Sequence, residues 1–188
     1  MVKEHRSGNL SPEFALLGFL YGGPSYGYDL HQKLSNELGQ VWHLSQSQAY
    51  TIVKRLENRG DVSSHLVQQY KLPARQILRI TASGRRRFID WLEKNISTNS
   101  RSIRLEFLTR LYFANLYEPE KTAQIHQAQR AEIETSIIRL EAQIERLPPE
   151  QVINRLSLYL RLSQMKLIQD WMAEIKTQFH IQERQVTT

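Results

Sequence analysis

Between Ser45 and Asn58 the chain spaces hydroxyl, amide, phenol and cationic side chains so that they fall on one side of a helix. Ala49, Ile52, Val53 and Leu56 recur at i, i+3, i+4 and i+7, an apolar stripe that must face a core. A rotation of about 100° per residue puts Ser47, Thr51, Lys54 and Asn58 opposite that stripe, with Tyr50 and Arg55 on its flanks. No carboxylate stands at the centre of this outer face. Such a set suits base edges and phosphates in a major groove. A solvated helix face carries the same residue types, so the flanking elements have to decide.

Those elements are turn-rich. Ser11-Pro12 places a capping hydroxyl and a proline ahead of the apolar run Phe14–Leu20, and Gly22-Gly23-Pro24 ends this first helix. A second helix is expected from about Tyr26 to Leu38, with Leu30, Leu34 and Leu38 on one face and Gly39 beyond it. Ser45 and Gln48 form a capping box at the start of the third helix, which runs to Arg59 before Gly60. Val62–Gln69 and Gln76–Ile80 then read as two short strands, joined by a basic, proline-containing tip, Tyr70 to Arg75. Period-two alternation turns Leu78 and Ile80 toward the core and Arg75 and Arg79 away from it. Thr81 caps a fourth helix through Trp91, around which Arg85, Arg86 and Arg87 fan out. A hairpin placed directly after a helix-turn-helix makes a wing, so Lys71 and Arg75 join Ser45, Ser47, Gln48, Tyr50, Thr51, Lys54, Arg55 and Asn58 as candidate DNA contacts.

Charge agrees with that reading. Residues 1–95 carry 13 Lys and Arg against 8 Asp and Glu, a net of +5, whereas residues 96–188 are close to neutral at +1. All eight glycines also precede residue 85. The polar run Asn95–Ser100 is the expected boundary between a winged-helix domain, 1–95, and a helical domain, 100–182.

Catalytic and metal chemistry find little footing. The chain has no cysteine, which excludes disulfides and thiolate chemistry and fits a reducing, cytoplasmic setting. His31, His43, His65, His126 and His180 are scattered, without metal-ligand spacing, and are expected to be surface or packing residues. Gly22–Gly27 lacks the Gly-Lys-Ser/Thr ending of a phosphate loop. No nucleophile, base and orienting group can be nominated together, so no enzyme, cofactor or metal is expected. No run of about 20 apolar residues marks a membrane span, and residues 1–9 lack a signal peptide's apolar segment.

Gly23-Pro24-Ser25-Tyr26-Gly27-Tyr28-Asp29-Leu30, Trp42 with Ser45–Tyr50, Lys54–Gly60 and Arg79–Gly84 together resemble, in order and spacing, the winged-helix domain of PadR-type transcriptional regulators. In that family the second helix begins with a Gly-Tyr pair, matched by Gly27 and Tyr28. The recognition helix carries a tyrosine and then a basic pair with Leu-Glu, matched by Tyr50 and by Lys54–Glu57. This chain has Ser47 and Thr51 where the family often has glycine and proline, and its wing arginine is displaced by one residue. Leu105–Ala114, with the long helix after Tyr117-Glu118-Pro119, is similar to the C-terminal domain of the longer, virulence-activator-like members.

In that second half Ile133, Ile137, Leu140, Ile144 and Leu147 form an a/d seam, and Pro148-Pro149 separates it from a last helix of about Glu150–Phe179. The last helix carries two apolar stripes. One, Leu158, Leu162, Met165, Ile168, Met172, Ile175 and Phe179, is expected to pair two subunits; Ile153, Leu156, Leu160, Leu167 and Trp171 form the other. Trp42, Trp91 and Trp171 are candidates to line a cavity for a small aromatic effector. The expectation is a mainly α protein, a winged helix with an antiparallel helical dimerisation domain. It would act as a homodimeric repressor on a double-stranded DNA operator. The alternative is a winged-helix module for protein–protein contact.

Overall fold

The computed structural model describes residues 10–69, 72–94 and 98–179, with the side chains of residues 68, 69 and 72–74 outside that description. The chain divides into two compact units, Met1–Lys94 and Asn95–Thr188.

In the first unit α1 (Glu13–Tyr21) is apolar nearly all round and forms the centre of the core, with Leu16, Leu17 and Leu20 sealed from solvent. It starts one residue later than the sequence suggests. Pro12 takes the N-cap position, where it has no side-chain acceptor, and the Ser11 hydroxyl instead accepts the Glu13 N–H at 3.4 Å. Helix α2 (Gly27–Leu38) buries Leu30, Leu34 and Leu38 against α1. Helix α3 (Gln46–Asn58) buries Ala49, Ile52, Val53 and Leu56, and its capping box is closed in both directions between Ser45 and Gln48. His31 fixes the turn between α2 and α3 by a 2.8 Å hydrogen bond between Nε2 and the Leu44 carbonyl. Gly60 leaves α3 at φ +78°, a left-handed conformation that a Cβ would strain.

The wing is longer than expected on its return side. β2 (Val62–Gln69) pairs with β3 (Leu72–Ile80), which begins four residues before the expected Gln76, and the ladder carries an irregularity between Val67 and Gln69. A two-residue strand, β1 (Ser25–Tyr26), adds to the other edge of β3, giving the antiparallel order β1-β3-β2. Leu78 is buried while Arg75 and Arg79 are exposed, as the alternation requires. Thr81 then caps α4 (Ala82–Glu93) by accepting the Gly84 N–H. Gly84 is required there, because a Cβ would sit 2.1 Å from the Asp61 carbonyl oxygen.

The second unit is made of helices joined by short turns, with no strand among its described residues. A short turn, α5 (Ser100–Ser102), leads into a π-helical stretch (Ile103–Phe107), then α6 (Leu108–Tyr117), α7 (Pro119–Arg146) and α8 (Val152–Gln178). The wide π turn brings residues four apart into line, so Ile103, Phe107 and Leu111 enter one core with Ile133, Ile137 and Leu140. Arg155 donates to the Ile144 and Leu147 carbonyls, satisfying the C-terminus of α7 across the Pro148-Pro149 turn.

The face assignment of the last helix differs from the sequence expectation. Met165, Met172 and Ile175 are buried in the chain's own core, with Leu158, Leu162, Ile168 and Phe179 packed partly against it. That stripe is therefore occupied by α7 and not free for a partner. The stripe left uncovered is Ile153, Leu156, Leu160 and Leu167, at 76%, 58%, 62% and 70% exposure. Two apolar stripes on one helix are equivalent in sequence, and only packing against α7 tells them apart.

Candidate nucleic-acid interface

Helix α3 presents Ser47, Gln48, Tyr50, Thr51, Lys54, Arg55 and Asn58 to solvent, with Ser45 exposed at its cap. The capping box ties down the Ser45 and Gln48 side chains, and the Thr51 hydroxyl donates to the Ser47 carbonyl at 2.9 Å. Lys54 has no ion-pair partner among the described residues and stands in solvent. Tyr50 is 48% exposed, and its ring lies over Gly27 at the start of α2.

Facing α3 is a groove of about 660 Å³, bounded by Tyr26, Gly27, Tyr28 and Asp29 from β1 and α2, by Tyr50, Val53, Lys54 and Glu57 from α3, and by Arg75, Gln76 and Leu78 from the wing. Three phenol rings and two cations meet there. Arg75 pairs opposite Val67 within β3, and its guanidinium lies 6.0 Å from the Tyr26 ring centroid. It is thus a groove-wall residue and not a residue of the wing tip. Lys71, expected beside it, lies outside the described residues. Gln76 holds the wing to the helix by donating to Glu57 at 3.4 Å and to the Ser64 hydroxyl. Tyr26, Tyr28 and Gln76 were not among the sequence candidates; β1, the strand that brings the tyrosines to the groove, has only two residues and no pattern to read.

A second feature lies behind the groove. Glu13, at the first position of α1 and 7% exposed, accepts from Arg55 at 3.0 Å, Arg59 at 3.0 Å and Arg87 at 2.8 Å. Arg87 also reaches the buried Asp61 at 2.6 Å. Burial pulls the Glu13 carboxyl upward, but hydrogen bonds from Arg87 and Arg59 and the charge of Arg59 outweigh it and leave the group below its ordinary value. Arg55 is therefore tethered to α1, where it holds the angle of α3, while Arg87 is a structural residue of the domain interior. Arg85 covers the Tyr21 ring at 4.3 Å.

The three tryptophans serve packing. Trp42 is buried, Trp91 stacks on Phe14 at 4.7 Å, and Trp171 meets Phe107 edge-on at 6.4 Å. An aromatic effector would have to be met by other residues. No helix among the described residues is long and apolar enough to cross a membrane.

A helix-turn-helix followed by a hairpin that lies against its second helix, and closed by a fourth helix, is a winged helix, the architecture of a large class of DNA-binding regulators. Residues 16–90 match the model of the Transcriptional regulator PadR-like family. It is 25% identical over 135 residues to the negative transcriptional regulator PadR of Bacillus subtilis (strain 168), covering 72% of this chain and 74% of that one. Among solved structures it is similar to Bacillus subtilis PadR in complex with operator DNA, at 24% identity and TM-score 0.44, over 89% of this chain and 98% of that one. Bacillus subtilis PadR in complex with p-coumaric acid aligns at 22% identity and TM-score 0.40, over 90% and 95% of the two chains.

Proposed function

We propose that this chain is a PadR-like, sequence-specific repressor that binds its operator as a homodimer in the cytoplasm, with α3 in the major groove and the wing against the backbone or minor groove. The observation that carries the reading is the groove of α3. Tyr50, Lys54 and Asn58 are exposed on a helix whose other face is locked into the core, and Arg75 and Tyr28 flank them on two separate elements. Side chains held by packed helices and strands offer a fixed pattern to base edges, and the surrounding cations provide sequence-independent affinity. The sign of regulation follows the negative regulator to which 72% of the chain aligns.

Pairing is assigned to the uncovered stripe of α8. Ile153, Leu156, Leu160 and Leu167 are exposed along one side of a long helix, which a second copy would bury by a two-fold contact. Two recognition helices would then meet successive major grooves about 34 Å apart. Selection of bound fragments from the source genome, followed by gel-shift titration of the full chain on the recovered sites, tests the reading. Recovery of a common inverted repeat supports it, and binding without sequence preference overturns it.

A further inference from the structure

The second unit contains a polar cleft that neither DNA reading nor pairing employs. Its volume is about 510 Å³, within the range of small-molecule sites. Ser136, Arg139 and Gln143 of α7 form one wall at helical spacing, and Arg161 and Gln164 of α8 form the other. Thr98, Asn99 and Ser100 close one end, and the buried side chains of Leu140 and Met165 make the floor.

The charge that lines this cleft is of one sign. Two other cations of the same helices are paired, Arg130 with Glu134 at 3.0 Å and Lys166 with Glu141 at 2.8 Å. Arg139 and Arg161 have no ion pair among the described residues, and no carboxylate lines the cleft. Two guanidinium groups lining one cleft without a counter-charge would both be attracted to an anion placed between them. Guanidinium forks match the paired oxygens of phosphate and carboxylate, while the hydroxyl and amide groups of the rim supply neutral donors.

We propose that this cleft is a binding site for a small dianion, a phosphate ester or a dicarboxylate, held between Arg139 and Arg161. The site is independent of the DNA-binding face and gives the helical unit a ligand of its own.

Calorimetric titration of the full chain with inorganic phosphate, and separately with succinate, tests it and tells the two anion classes apart. Saturable binding of either probe is expected. Arg139→Gln and Arg161→Gln should each weaken it by about tenfold or more, the equivalent of one charge-assisted contact. Arg161→Lys, which keeps the charge but loses the fork, should fall between. Arg146→Gln, an exposed arginine outside the cleft, should leave binding unchanged, and matching thermal melts should show that every variant is folded. Absence of saturable binding with both probes would overturn the proposal. So would binding that survives both cleft variants but is lost in Lys54→Ala, because the anion would then sit on the DNA-binding face.

Discussion

Gly27 and Tyr50 are fitted to each other: a Cβ built on Gly27 would lie 2.6 Å from Cε1 of the Tyr50 ring, closer than any real contact. The absence of a side chain at the start of α2 is what allows the recognition-helix phenol to lie where it does. Gly27→Ala should therefore displace Tyr50 while leaving the fold intact, since alanine is the better helix former and the ring is a movable, half-exposed end. The expected result is a loss of operator discrimination of about 1–3 kcal/mol, as in Tyr50→Ala, with no loss of thermal stability. Gel shifts on operator and scrambled DNA, run beside a melting curve, check both halves.

Lys54 and Arg55 are neighbours in sequence with different duties, and alanine at each should separate them. Lys54→Ala should leave the melting temperature unchanged, lower DNA affinity and flatten the slope of log K against log salt by about 0.9, one phosphate contact. Arg55→Ala should lower the melting temperature as well, because it removes a ligand of the nearly buried Glu13. Equal melting temperatures for the two variants would contradict the assignment of Arg55 to positioning.

Glu13→Gln should destabilise the first unit by roughly 3 kcal/mol, the low end for breaking a buried charge cluster, because the arginines still reach water. The same carboxylate sets an acid limit. Its value in the folded state is lowered from the ordinary 4.5, so its contribution is fully present above that ordinary value. It is lost as the pH falls through the lower folded value. Denaturation midpoints measured from pH 6 downward should decline more steeply in the parent than in Glu13→Gln over that acid range.

Leu160→Glu with Leu167→Glu charges the uncovered stripe of α8 and should give a folded monomer that binds a full operator far more weakly, since the second half-site contact is no longer intramolecular. Met165→Glu with Met172→Glu, on the opposite stripe, should unfold the second unit instead, because it buries charge against α7. Sedimentation and circular dichroism distinguish the two results.

Local spacing made the third helix readable in advance, for its cap, its stripe and its outer face are all set within Ser45–Asn58. The same holds for the cap at Thr81 and for the inward turn of Leu78. What escaped was fixed by distance along the chain. Glu13 meets partners 42, 46 and 74 residues away, so no window of sequence reveals that Arg55 is tethered or that Arg87 is not simply solvated. β1 pairs with residues more than 50 positions later and has too few residues to show an alternation. The extra length of β3 runs through Pro73, whose usual signal is a turn.

The Glu13 cluster also imposes an order of events at the ribosome. At 5–20 residues per second, Arg87 leaves the exit tunnel about 4–15 s after Glu13. In the later part of that interval the recognition helix is complete but the α4 arginine that joins Glu13 to Asp61 is still missing. The anchorage of α3 is completed only with the last helix of the winged-helix domain; before α4 is made, Arg55 and Arg59 alone can tie that helix to Glu13.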